Sequence, residues 1–176
     1  MAHCIRAWDK TKSTPLDAFG DVPLLKTTGV AIVLATLLEE VQRAEDAYTV
    51  YEDAFMHMVS KKGGSANAGP KDPPDAESDL GKRFMSQLGE DEKLRVAAIS
   101  YKLGELAFVL HKTAKEEEKW LVWSVMTSMI ATANVTAGKS VDPDEVIGLP
   151  LLSEPHGPAA PFEALGSFYA RHGEVK

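Results

Sequence analysis

"LRVAAISYKLGELAFVLHKTAKEEEKWLVWSV", residues 94–125, is the stretch on which the fold turns. Leu94, Ala97, Ala98 and Tyr101 recur at three- and four-residue steps, the period of a helix with one face turned inward. A second amphipathic stretch, "EEEKWLVWSVMTSMI" (116–130), begins with acids, which are favourable near a helix N-terminus. The block from Asp91 to about Ala133 therefore predicts two helices joined by a tight turn near Lys112–Lys115. Further out, Leu34, Leu37, Leu38 and Val41 show the same steps in a block from Leu24 to about Ser60 that contains no proline, with a turn expected near Gln42–Ala44. The intervening "KKGGSANAGPKDPPDAESD" (61–79) has loop composition, and "SDLGKRFMSQL" (78–88) offers a short helix. "GKSVDPDEVIGLPLLSEPHGPAAP" (138–161) is again rich in proline and glycine, and a terminal helix starts after Pro161. At the other end, "AHCIRAWDK" (2–10) reads as the tail of a helix. No strand-like alternation occurs, so the expected fold class is all-α.

Composition narrows the function. With 176 residues, 44% of them hydrophobic and 26% charged, the chain fits one globular domain. A net charge of −7 excludes nucleic acid as the expected partner, because phosphate affinity needs clustered Lys and Arg. It suits a partner with a basic segment. One cysteine, Cys4, allows no intrachain disulfide framework. The longest apolar run, "VAIVLATLL" (30–38), falls well short of the roughly 18 residues of a membrane span, so no transmembrane segment is expected. The start "MAHCIRAWDKTK" lacks the apolar core of a secretory signal.

Three stretches share one register. Leu34 and Ala35, Leu103 and Gly104, and Leu165 and Gly166 hold the same two places, with Gly173 closing the third copy as a turn residue. After the first of these pairs, Ala47, Tyr51, Ala54 and Phe55 alternate small and large as a second helix would; after the next, Leu121, Ser124 and Val125 do so once one extra turn residue is allowed. The pattern resembles the tetratricopeptide repeat, a helix–turn–helix unit of about 34 residues in which small side chains sit where the two helices cross. Two places depart from it: Glu117 stands where a small residue is expected and His111 where glycine is. The resemblance implies a single domain, 1–176, of tetratricopeptide-like α-α solenoid form. It would contain repeat 1 (about 24–61), a loop (62–90), repeat 2 (about 91–133), a loop (134–158) and a truncated third repeat (159–176). On the blocks "YKLGELA" (101–107), "EEEKWLVWSV" (116–125) and "ALGSFYARHG" (164–173), the chain is similar to fungal mitochondrial repeat proteins related to the adaptor subunit of the inner-membrane i-AAA protease. That likeness implies a non-enzymatic, protein-binding adaptor in mitochondrial protein quality control. Its partners would be a membrane protease complex and its substrates, and its place the inner membrane.

In the repeat register the first helices line a concave groove, and the residues facing it are Thr36, Glu39 and Glu40, then Tyr101, Lys102 and Glu105, then Ser167 and Arg171. Such a groove docks an extended peptide, apolar contacts giving affinity and charges orientation. A carboxylate clamp of the co-chaperone type needs several Lys and Asn residues; Ile32 and Thr36 occupy two of those places and only Lys102 supplies a cation. A structural assembly subunit of a membrane-associated complex is the alternative reading. Nothing points to catalysis, a metal or a cofactor. His3, His57, His111, His156 and His172 have no metal spacing, and no nucleophile elbow is present. "ANVTAGKS" (133–140) approximates a phosphate loop but follows a helix rather than a strand, so it reads as a helix-ending loop. Asn134 and Thr136 form a glycosylation sequon without a secretory context. At least one of Trp120 and Trp123 reads as core, the methionines as gap-fillers, and "KEEEK" (115–119) as a solvated turn and helix start.

Overall fold

The computed structural model describes residues 2–62, 72–136 and 159–173, and every element among them is helical. Helix α1 (Ala2–Ser13) ends where Thr11, Ser13 and Thr14 turn their hydroxyls back onto backbone carbonyls of Ala7 and Lys10. A 3-10 turn (Leu16–Phe19) then leads into α2 (Pro23–Glu40), which opens on proline, a residue that gives up no useful donor in a first helical turn. Helix α3 (Ala44–Lys62) follows after three residues. A short α4 (Asp79–Gln87) is capped by Ser78, whose Oγ accepts from the Gly81 amide at 3.1 Å. Gly81 is required there: a Cβ would lie 2.3 Å from the Asp75 carbonyl oxygen. Then come α5 (Glu90–Val109), α6 (Ala114–Thr136) and α7 (Ala160–His172).

Both expected breaks are present, at 41–43 and at 110–113, and they share one geometry. The Arg43 amide donates to the Leu38 carbonyl at 2.8 Å and the Lys112 amide to that of Ala107 at 2.9 Å. Each bond reaches back five residues over a left-handed residue, Gln42 at φ 60° and His111 at φ 53°, as a helix-terminating Schellman turn requires. Helix α7 ends on Gly173 at φ 70°. His111 therefore adopts the conformation for which glycine is expected, at some steric cost.

The turns fold α3 back on α2 and α6 back on α5. At the second crossing Gly104 is pressed on Leu121, with a built Cβ only 2.6 Å from Leu121 Cδ2. The pairs meet through an aromatic cluster. Phe55 of α3 stands edge-on to Trp120 and Trp123 of α6 at 5.1 Å each, and Phe84 of α4 closes the group at 5.9 Å from Trp123. The indole nitrogens find acceptors, Trp120 in the Tyr48 hydroxyl (2.8 Å) and Trp123 in the Pro74 carbonyl (2.7 Å). Both tryptophans are thus core, where the spacing led to that expectation for at least one. The gap-filling role holds for Met58, which is fully buried, and for Met56 and Met126, packed on the core; Met129 is exposed.

Helices α2, α5 and α7 run in one direction as a layer. Pro23–Leu25 and Gly89–Glu92 line one cleft, while Glu39, near the other end of α2, reaches Lys102 well along α5. Farther along the layer, Glu163 lies near Tyr101, and Arg171 caps the Phe108 ring at 4.3 Å. Helix α1 packs on the opposite end, where Trp8 is buried edge-on to His57 of α3 at 5.9 Å. Of the phosphate-loop-like stretch, residues 133–136 belong to α6, and Gly138, Lys139 and Ser140 lie outside the described residues.

Candidate functional site

The layer α2–α5–α7 presents one continuous face, and its centre is a polar network between α2 and α5. Lys102 Nζ sits 3.1 Å from Glu105 Oε2 and 3.6 Å from Glu39 Oε2. The second oxygens of the two carboxylates each accept a tyrosine hydroxyl at 2.9 Å, Tyr101 on Glu105 and Tyr51 on Glu39. Thr36 lies beside the Tyr51 hydroxyl. Helical spacing explains the convergence: 101, 102 and 105 fall on one side of α5, one turn apart, and 36 and 39 do the same on α2.

Burial sets the electrostatics. Partial burial alone would lower the Lys102 pKa, yet Glu105 and Glu39 outweigh it, so the ammonium is held above its ordinary value. The tyrosines shift upward as well, Tyr51 through burial and then Glu39, Tyr101 through burial and then Glu105, so both stay protonated donors. Two carboxylates face one ammonium, leaving the centre net negative, and exposed Glu40 and Glu163 add to it. Beside this charge Val33 of α2 and Phe108 and Val109 of α5 are exposed. Apolar side chains next to uncompensated carboxylate suit a segment carrying both aliphatic and basic residues.

Of the eight groove residues expected from the register, the structure gathers Thr36, Glu39, Tyr101, Lys102 and Glu105 into this one network. Glu40 and Ser167 are exposed on the outer helices of the layer and stand outside it. Arg171 is engaged elsewhere: it pairs with Glu117 of α6 while stacking on Phe108. Glu117 is 6% exposed, so the "KEEEK" run is not wholly solvated; its middle acid is drawn inward by the α7 guanidinium. Glu118 accepts the Tyr169 hydroxyl at 2.9 Å, a second polar tie to α7.

Tyr51, Phe108 and Glu163 join the face without having been singled out for it. Tyr51 carried a usable signal, since a tyrosine in a core position must bring its hydroxyl to a polar partner. Glu163 carried none, because its approach to Tyr101 depends on how α7 docks. Among the described residues no group of three or more His, Cys, Asp or Glu side chains is placed to hold a metal, and no helix is long and apolar enough to cross a membrane. No family model, no curated protein and no solved structure matches the chain.

Proposed function

We propose that the chain is a non-enzymatic protein-binding scaffold of tetratricopeptide type that captures a polypeptide segment on the face of α2, α5 and α7. The specific form of this reading is an adaptor that presents substrates to a membrane protease complex in mitochondrial quality control. The observation that carries the binding role is the Glu39–Lys102–Glu105 bridge, which joins two helices distant in sequence into one acidic, apolar-flanked surface. The repeat reading draws support from the turns. A left-handed residue follows seven places after the small residue in α2, α5 and α7 alike: Ala35 to Gln42, Gly104 to His111, Gly166 to Gly173.

Capture should favour apolar segments with a basic flank and weaken as salt rises, because the acids of the face are partly solvent-screened. Fluorescence anisotropy with labelled peptides tests this, comparing a leucine- and valine-rich peptide flanked by lysines with the same peptide flanked by glutamates. The basic-flanked peptide is expected to bind more tightly, and replacing Glu39 and Glu105 together by glutamine should weaken its capture while the helical circular dichroism persists. Unchanged capture in that variant, with loss on altering the outer surface of α3 and α6, would overturn the groove and favour an assembly subunit.

A further inference from the structure

Asp91, Arg95, Ala98, Lys102, Glu105 and Val109 recur at three- and four-residue steps and form one stripe of α5, the stripe that carries the centre of the capture face. Its two cations are held differently. Lys102 is tied to Glu39 and Glu105. Arg95, two turns nearer the start of the helix, is half-buried and has neither an ion pair nor a hydrogen bond among the described residues; its Nε is shut off from water and meets no acceptor. Burial lowers its pKa from the ordinary value against the opposing pull of Asp91, an exposed acid one turn earlier. Drawing a cation partly out of water without a counter-charge costs free energy. An arginine that served only to cover apolar surface would lay down its stem and keep its head in water.

We propose that Arg95 is the acid-reading position of the capture face: its guanidinium receives the side-chain carboxylate of an aspartate or glutamate in the captured segment. The inference rests on the capture reading and adds to it a second charge requirement of opposite sign. A planar guanidinium matches a carboxylate through two parallel hydrogen bonds, and one already half-desolvated loses less water on pairing than an exposed one. With Asp91, Glu39 and Glu105 on the same side, a singly charged carboxylate suits the position better than a phosphate does. Arg95 stands seven to ten positions before Lys102 and Glu105. That is about 10–15 Å along a helix, which an extended segment crosses in about three to five residues. The ligand is therefore a segment whose acid and base stand about four residues apart, with apolar residues between them. Two opposite charges on one face also fix the direction of the segment, which an acidic surface alone leaves open.

Fluorescence anisotropy on the full chain tests this with labelled peptides blocked at both ends. Each has a leucine- and valine-rich core, lysines at one end and, about four residues away, either glutamate or glutamine. The wild type should bind the glutamate peptide about threefold to tenfold more tightly, between the gain of an exposed ion pair and that of a partly desolvated one. Glutamate moved directly beside the lysines should lose that advantage, because it no longer reaches Arg95. Arg95→Met, which keeps an apolar stem, should bring the glutamate and glutamine peptides to one affinity, and Arg95→Lys, which keeps the charge without the fork, should retain part of the preference. Because Arg95 has no ion pair to lose, the urea midpoint of Arg95→Met should not fall; a lower midpoint would mark the guanidinium as a structural group and overturn the inference. A preference that survives in Arg95→Met would overturn it as well. A wild type that binds both peptides equally, and more tightly than one without lysines, refutes the role of Arg95 and leaves capture standing. A wild type that binds none of them refutes the capture reading, and this inference with it.

Discussion

Gly104 and Gly166 hold the same register in two helices, yet their surroundings differ, so one substitution at both places separates packing from propensity. Alanine in a helix interior gains about 0.8–1 kcal/mol over glycine. At Gly166 nothing among the described residues opposes this gain, because a Cβ meets none of their atoms within 4 Å. Gly166→Ala should therefore raise stability by about 1 kcal/mol. At Gly104 the new methyl would lie 2.6 Å from Leu121 Cδ2 and 2.9 Å from its Cγ. Leu121 is 2% exposed and has little room to turn away, so overpacking should cost about 1–3 kcal/mol. The net effect of Gly104→Ala is a loss of up to about 2 kcal/mol once the helical gain is deducted. Urea denaturation at a concentration where the chain is monomeric measures both shifts, with unchanged slopes confirming that only stability moved. Leu121→Ala supplies the control: it should cost less in the Gly104→Ala background than alone, since it clears the clash. If Gly104→Ala and Gly166→Ala stabilise equally, α5 and α6 are not in close contact at Gly104 and the argument for a glycine-filled crossing fails.

Two further outcomes follow from charge placement. Removing Arg171 strands the nearly buried Glu117 carboxylate, whereas removing Glu117 leaves a guanidinium that can turn to water; Arg171→Ala should thus cost about 2–3 kcal/mol and Glu117→Ala about 1, with hydrogen exchange in α7 rising more in the former. Equal costs would show that the acid is not desolvated. His57 is held below its ordinary pKa by burial, then by Lys61 and Lys12, against the opposing Asp53. The folded chain therefore binds fewer protons there than the unfolded one, so stability is flat above about pH 6.5 and falls as pH drops from about 6.5 toward the folded value. Denaturation midpoints for wild type and His57→Gln between about pH 7.5 and about pH 5.5 should show the fall in the former and a reduced slope in the latter; parallel slopes would remove His57 as the cause.

How much the sequence disclosed depended on whether an interaction was local. Helix breaks near Gln42 and His111 were legible because an apolar period stops and polar turn residues intervene within a few positions. The short α4 was legible from the run "SDLGKRFMSQL", and the shared face of Lys102 and Glu105 from the repeat register. The left-handed turn at His111 was legible only through the repeat register, which puts glycine at that place, since local composition does not announce a histidine at positive φ. Long-range matches were not legible at all. Trp123 satisfies its indole on the Pro74 carbonyl, and Arg171 leaves the expected groove for Glu117; neither partner is marked in the sequence around the other. Glu117 shows the difficulty most plainly: in its own helix it breaks the small-residue pattern, and only the docking of α7 gives that departure a reason.

The two seams of the fold consequently differ in kind, and the capture face inherits the difference. Between the helix pairs the seam is aromatic, with Phe55 wedged against both tryptophans and their indole donors satisfied. Such packing has one good arrangement, because shifting a ring both opens a void and strands a donor. That fixes α2 against α5 and sets the spacing at which Lys102 bridges Glu39 and Glu105. Helix α7 buries Ala160, Pro161 and Phe168, and its described polar ties run from Arg171 to Glu117 and from Tyr169 to Glu118 of α6, with Phe108 of α5 under the guanidinium. Long polar side chains tolerate small displacements that interlocked rings do not. On the proposed capture reading, the α2–α5 half of the face would be the rigid element that selects charge, and the α7 edge, bearing Glu163 and Ser167, the part able to adjust to a bound segment. On that proposal a segment reading both halves would meet a fixed electrostatic anchor and a compliant wall, so that specificity would rest on Glu39, Lys102 and Glu105 and accommodation on α7.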